Sequence, residues 1–207
     1  MNMSVRWPVR PGRADMGLDT GAGLIYLMGP SGSGKDTLLR RVAACLREDD
    51  AILIAHRYIT RASGADEASM ELSPQEFERR AVLGCFALHW QSHGLRYGIG
   101  VEIDLWLQQG MVVIVNGSRA YLAEAAKRYP GLRAVQVHVS PAILAQRLKR
   151  RGRETPEQIT ARLARAGRPF AVPTGVEVVP LDNDGPIERA VQSLLALARA
   201  RARNTCR

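Results

Sequence analysis

From Gly23 onward, short apolar runs alternate with longer segments in which apolar residues recur every three or four positions. That alternation is the βαβ pattern of a parallel sheet covered by helices. Strands are expected at 24–28, 52–55, 111–115, 134–139 and 176–179, and the fold class is α/β, a three-layer sandwich with a parallel sheet core. Three helix starts are written as a capping residue followed by proline, whose missing N–H costs nothing at the first helical position: Ser73-Pro74, Ser140-Pro141 and Thr155-Pro156. Ser73 with Glu76, and Thr155 with Gln158, also have the spacing of a capping box.

The strict alternation fails between residues 56 and 100, where Phe86-Ala87-Leu88-His89-Trp90 reads as a strand within an inserted lobe. Residues 1 to about 22 carry Pro8, Pro11, Gly12, Gly17 and Gly21 with scattered arginines and little periodicity, so a flexible extension is expected there. Residues 23–207 then form a single domain, a size at which one core is usual. No tract is long enough to span a bilayer and no signal-peptide core is present, so a cytoplasmic protein is expected, without membrane partners. Cys45, Cys85 and Cys206 have neither CxxC spacing nor paired histidines, and read as free thiols.

The formal net charge is +9, and much of the excess lies in one stretch, from Arg147 to Arg168, where eight basic residues stand against Glu154 and Glu157. Taken alone, such a run is a solvated helix face or a nucleic-acid patch. The first strand changes that reading, because it leads into Gly29-Pro30-Ser31-Gly32-Ser33-Gly34-Lys35, followed by Leu38, Leu39, Val42 and Leu46 on one helix face. Strand, glycine-rich loop and helix are the context of a P-loop. Its backbone N–H groups and helix N-terminus would cradle the phosphates of ATP, with Lys35 reaching the β- and γ-phosphates.

The residue after the lysine is normally a serine or threonine that ligates magnesium, but here it is Asp36, with Thr37 following. The strand at 111–115 ends at the neutral Asn116, where a carboxylate is common. Mg2+ prefers hard oxygen ligands and keeps several waters, so Asp36 is the expected metal ligand, directly or through water. The alternative is that Asp36 only caps the helix.

With these pieces in place, residues 23–200 resemble the guanylate-kinase-like group of P-loop kinases. The resemblance rests on 29–37, Thr60-Arg61, 73–77, 84–90, Tyr97-Gly98, the arginine-rich 147–163 and Asp182-Asn183-Asp184. Within the group the chain is similar to the ribose 1,5-bisphosphate phosphokinase family of phosphonate catabolism, which makes 5-phospho-α-D-ribose 1-diphosphate. The wording His93-Gly94-Leu95-Arg96-Tyr97-Gly98, Glu102-Ile103-Asp104 and Asn116-Gly117-Ser118-Arg119 carries that likeness.

The resemblance implies a small acceptor-binding lobe at about 56–100, where Arg61 and Tyr97 hold the acceptor's phosphate. It also implies an arginine-rich lid at about 147–168, where Arg151 and Arg162 act on the transferring group and Arg147, Arg150 and Arg153 lie nearby. Asn183 falls where the group contacts adenine. His89, His93, Ser118 and Arg119 are candidate contacts for a second phosphate or for sugar hydroxyls. Guanylate kinases read guanine partly through a glutamate and an aspartate whose places here hold Cys85 and Ser118. Losing both acceptors argues against guanine.

The expected reaction is transfer of the γ-phosphoryl group of ATP, with Mg2+, to a phosphorylated sugar. A phosphate acceptor is already largely anionic at neutral pH, its second pKa being about 6, so no general base is needed. A nucleoside monophosphate kinase and a non-catalytic phospho-ligand binding module are the alternatives. Nucleic-acid binding ranks last because no aromatic stacking pattern accompanies the arginines. The sequence leaves a homodimer open.

Overall fold

The computed structural model describes residues 21–62, 69–152 and 154–205. Most of the N-terminal extension, Arg153, Cys206 and Arg207 lie outside the described residues. Gly21, assigned to that extension, is already built into the fold: its carbonyl accepts from the Leu24 N–H at 2.8 Å, and a Cβ at Gly21 would press on Tyr129.

Five strands form the central sheet: β1 (Leu24–Met28), β2 (Ile52–Ile54), β7 (Val112–Asn116), β8 (Arg133–His138) and β9 (Val178–Asp182). Their order is β2-β7-β1-β8-β9 and every pairing is parallel. All five expected strands are present; the last starts and ends later than its apolar run. Burial of β1 and β7 at every position explains why those runs lack polar alternation.

Alternate residues of the strands face two separate cores. Ile25, Leu27, Val112, Ile114, Val135 and Val137 pack with Leu38 and Val42 of α1 (Lys35–Ala44) and with Val191, Leu194 and Leu195 of α7 (Ile187–Thr205). Leu24, Tyr26, Val113 and Val115 pack on the other side with Ile103 of α3 (Glu102–Gln108) and Leu122 and Ala125 of α4 (Leu122–Arg128). The three layers are therefore helix, sheet, helix. Asp104 ties α3 to α4, accepting from the Tyr129 hydroxyl at 2.6 Å and from Arg128 at 2.8 Å. Among the described residues no helix is long and apolar enough to cross a membrane.

A second sheet, in the order β4-β3-β6-β5, is inserted after β2. It contains β3 (Arg57–Ile59), β4 (Ser69–Glu71), β5 (Phe86–Ser92) and β6 (Leu95–Gly100), with α2 (Pro74–Val82) packed on it through Phe77, which stacks on Phe86. The strand expected at Phe86–Trp90 is β5 of this insertion. His93 and Gly94, at φ 51° and 73°, make the tight β5–β6 turn.

Helices α5 (Pro141–Arg151) and α6 (Pro156–Ala166) form a hairpin with a small core of its own, Leu144, Leu148 and Ile159. All three serine- or threonine-proline helix starts are realised, and Thr155 with Gln158 closes a full capping box. At Ser73 only half of the box forms. The Ser73 hydroxyl accepts from the Glu76 N–H at 3.1 Å, but the Glu76 carboxylate turns to Arg80 at 2.8 Å, an ion pair one turn along the helix.

Candidate active site

The glycine loop leaves the end of β1 and enters α1 through Gly34, whose φ of 88° is a left-handed value that favours glycine. A Cβ at Gly32 would strike Leu148 and Leu144, so the loop packs directly on α5. Ser33 is fully buried under the loop, and its carbonyl is gripped by the Asn183 amide at 2.7 Å and by Arg147 at 3.3 Å. Arg147 also donates to the Asn183 carbonyl at 2.7 Å. Asn183, expected at adenine, is thus buried against the loop as a brace, and its Oδ1 is left without a hydrogen-bond partner.

Lys35 curls back, its Nζ donating to the carbonyls of Gly29 at 2.7 Å and Pro30 at 3.0 Å. Burial pushes its ammonium pKa down to about 8; neighbouring Asp36 pulls it back up, while Arg57 and Arg119 push it further down. Asp36 Oδ1 accepts from the Asn116 amide at 2.8 Å and faces an Arg57 nitrogen at 3.4 Å. The carboxylate on the loop and the neutral end of β7 therefore meet directly. The other amide atom, Asn116 Oδ1, is buried with no hydrogen-bond partner.

Those oxygens suit a hard cation. Among the described residues there is no group of three or more His, Cys, Asp or Glu that could cage a metal. Mg2+ held chiefly by phosphates and water needs only one or two protein oxygens, and Asp36 with the orphaned Asn116 Oδ1 would supply them.

The loop opens onto a cleft of about 790 Å3 that runs between the two sheets and under the α5–α6 hairpin. Among the described residues its lining holds six arginines (Arg57, Arg61, Arg119, Arg147, Arg150 and Arg151) and Lys35 against a single carboxylate, Asp36. Tyr97, His93 and Ser118 line it as well. Ser118 is fixed by Tyr26 of β1, whose hydroxyl donates to the Ser118 carbonyl and accepts from its N–H, both at 2.9 Å. A Cβ at Gly117 would overlap the Tyr26 ring, so glycine is required there. Tyr97 stacks on Trp90, and Trp90 on Tyr121, both at 5.5 Å between ring centroids.

Besides the grip of Arg147, further contacts hold the hairpin over the cleft. Arg162 donates to the Ser31 hydroxyl at 2.7 Å and pairs with Glu154 at 3.2 Å. Arg119 donates to the last carbonyls of α6, Ala166 at 3.0 Å and Arg165 at 3.2 Å, where a cation complements the helix end. Arg165 meets His93 Nδ1 at 3.3 Å across the cleft mouth.

Three of the expected site residues, Ser33, His89 and Arg162, are not in the cleft's lining, although Ser33 lies buried under the loop and Arg162 contacts its Ser31. His89 is exposed on the face of β5 opposite Trp90, because successive strand residues point to opposite sides. Cys85 is exposed and outside the lining, whereas Ser118 lines the cleft. Arg57, which opens β3 and lines the cleft, was missed by sequence reasoning because nothing in its local pattern marks it.

The AAA domain family matches residues 24–173 of the chain. The chain is 59% identical over 181 residues to the ribose 1,5-bisphosphate phosphokinase PhnN of Achromobacter xylosoxidans (strain A8), covering 87% of this chain and 94% of that one. It is 52% identical to the protein of the same name from Burkholderia pseudomallei (strain K96243), with 87% and 97% covered. Its fold matches that of a guanylate kinase from Anaplasma phagocytophilum, with a TM-score of 0.63 at 16% identity over 91% of this chain and 89% of that one. With its glycine loop, arginine cleft and inserted second sheet, the chain belongs to the ribose 1,5-bisphosphate phosphokinase PhnN family.

Proposed function

We propose that this protein is a kinase that transfers the γ-phosphoryl group of ATP to the 1-phosphate of ribose 1,5-bisphosphate, giving 5-phospho-α-D-ribose 1-diphosphate and ADP. The observation that supports it best is the charge of the cleft, with seven cationic side chains facing one carboxylate among the described residues. ATP and a sugar bisphosphate together bring several negative charges to that space, and Ser118 lines it where guanylate kinases place a carboxylate that reads guanine. Relatives above 50% identity that bear the phosphokinase name point the same way.

In this reading the glycine loop takes the β- and γ-phosphates of ATP, and Lys35 exchanges the Gly29 and Pro30 carbonyls for phosphate oxygens. An anionic oxygen of the 1-phosphate attacks the γ-phosphorus as the bond to the bridging β–γ oxygen breaks. The bond's electron pair leaves with ADP, and no protein base is required. Catalysis consists of positioning and of neutralising charge on the transferring group. Arg61 and Tyr97 hold the acceptor, the second sheet is the acceptor-binding lobe, and the α5–α6 hairpin is a lid that carries Arg151 and Arg162 to the reacting phosphates. Asp36 and Asn116 would hold Mg2+, which supplies charge neutralisation between donor phosphates when bound.

A coupled assay of ADP release with ribose 1,5-bisphosphate, GMP and AMP in parallel tests the reading. Ribose 1,5-bisphosphate is expected to be the preferred acceptor. GMP turning over at equal or higher kcat/KM would restore a nucleotide kinase, and no turnover with any acceptor would favour a binding module.

A further inference from the structure

Arg57 stands where the donor loop meets the acceptor lobe. It is the first residue of β3, 12% exposed at its side chain, and its guanidinium lies 5.4 Å from the centre of the Tyr97 ring. The β3–β6 register explains that contact: Arg57 pairs with Ile99, which makes Tyr97 its diagonal neighbour on the same face. On the other side one guanidinium nitrogen reaches Asp36 Oδ1 at 3.4 Å and Ser69 Oγ at 3.3 Å. Both contacts are long for a guanidinium, and Nε is buried with no hydrogen-bond partner. Asp36, the one carboxylate beside it in the cleft, also accepts from Asn116 and stands next to Lys35.

A nearly buried guanidinium with an orphaned N–H and a shared counter-charge is costly in the free protein. Its planar fork suits two oxygens of one phosphate, which would satisfy the vacant donor and the charge together. A phosphate placed there would touch Arg57 between Tyr97 and the loop that carries Lys35, on the path between acceptor and donor.

We infer that Arg57 is a catalytic residue that grips the accepting phosphate of the substrate, the one on C1, and screens its repulsion from the donor's γ-phosphate. The inference rests on the proposed reaction and adds to it the residue that selects a C1 phosphate. Arg61 and Tyr97 then complete the same phosphate site, and the second phosphate lies farther from the glycine loop.

The test separates the two phosphates. Ribose 1-phosphate and ribose 5-phosphate are titrated by calorimetry into wild type, Arg57→Gln and Arg57→Lys without nucleotide, with melting curves on each protein. Arg57→Gln is expected to weaken ribose 1-phosphate about tenfold or more, as removal of a charged hydrogen bond does, and to leave ribose 5-phosphate within about twofold. Arg57→Lys, which keeps the charge but not the fork, should fall between, and it carries the test if Arg57→Gln melts early. In steady state the kcat/KM for ribose 1,5-bisphosphate should drop with the affinity for ATP nearly unchanged.

Equal losses for both monophosphates, or no loss, would overturn the inference. A change confined to ATP affinity or to the magnesium requirement would also overturn it, by making Arg57 only a partner of Asp36. The reaction itself is checked separately by wild-type turnover of ribose 1,5-bisphosphate, so its failure cannot be mistaken for failure of the role given to Arg57.

Discussion

Lys35 holds its Nζ against two loop carbonyls, which phosphate oxygens replace in the proposed reaction. Lys35→Ala should lower kcat at least about a hundredfold, as loss of an electrostatic group aimed at the transferring charge does, while leaving the melting temperature unchanged or higher. The pKa of about 8 lies below the unfolded value, so between the two the unfolded chain binds more protons and the ligand-free fold gains stability as pH rises. Phosphates reverse this by favouring the charged amine. ATP binding at pH 8.5 should therefore take up protons, seen as calorimetric enthalpies that differ between buffers of unlike ionisation heat, and the uptake should vanish in Lys35→Ala. Asp36→Asn should raise the magnesium concentration for half-maximal activity; an unshifted magnesium curve, with a stability loss of about 1 kcal/mol, would reduce Asp36 to a helix cap. At this scale the loop was legible because its glycines and lysine are contiguous. Arg57 was not, because its neighbours Asp36 and Tyr97 lie 21 and 40 positions away and only folding brings them together.

The α5–α6 hairpin has a small core of its own and is tied to the site through Arg147, Arg162, Arg119 and Arg165. Arg162 reaches only the Ser31 hydroxyl of the loop, at 2.7 Å, a contact that a γ-phosphate would replace with a charged one. If the hairpin is the lid of the proposed reaction, Arg151→Ala and Arg162→Ala are expected to lower kcat by about tenfold or more while changing the ATP dissociation constant only severalfold, because their charge would act chiefly in the closed, reacting state. Single-turnover kinetics beside equilibrium nucleotide binding checks the split, and effects confined to affinity would make the hairpin a docking surface. The start of α6, the hairpin's second helix, was readable from Thr155-Pro156 because a capping box is a local hydrogen-bond arrangement. Arg119 as the cap on its far end was not, since it comes from the loop after β7, some 46 residues earlier in sequence. His89 failed for the opposite reason: the strand was read correctly, but which of its faces meets the cleft is set by pairing with β6.

For the whole molecule, the five central strands were visible as apolar runs, whereas their order β2-β7-β1-β8-β9 is a tertiary fact that no run encodes. That order places β1 in the middle, so the glycine loop and the Gly117-Ser118 turn leave adjacent strand ends and open on one crevice. The inserted sheet and the hairpin then approach that crevice from different sides, and they touch where Arg165 meets His93. This small contact has a thermodynamic consequence. If nucleotide favours the hairpin's position and acceptor favours the lobe's, a bond between the two makes each ligand's binding free energy depend on the other's presence. Linkage then requires the effect to be mutual, so a non-hydrolysable ATP analogue should tighten ribose 5-phosphate by the same factor as ribose 5-phosphate tightens the analogue. His93→Ala should shrink that shared factor toward one while changing the separate affinities by no more than about twofold. A factor unaltered in His93→Ala would mean that the two halves of the cleft communicate by another route, or not through the protein at all.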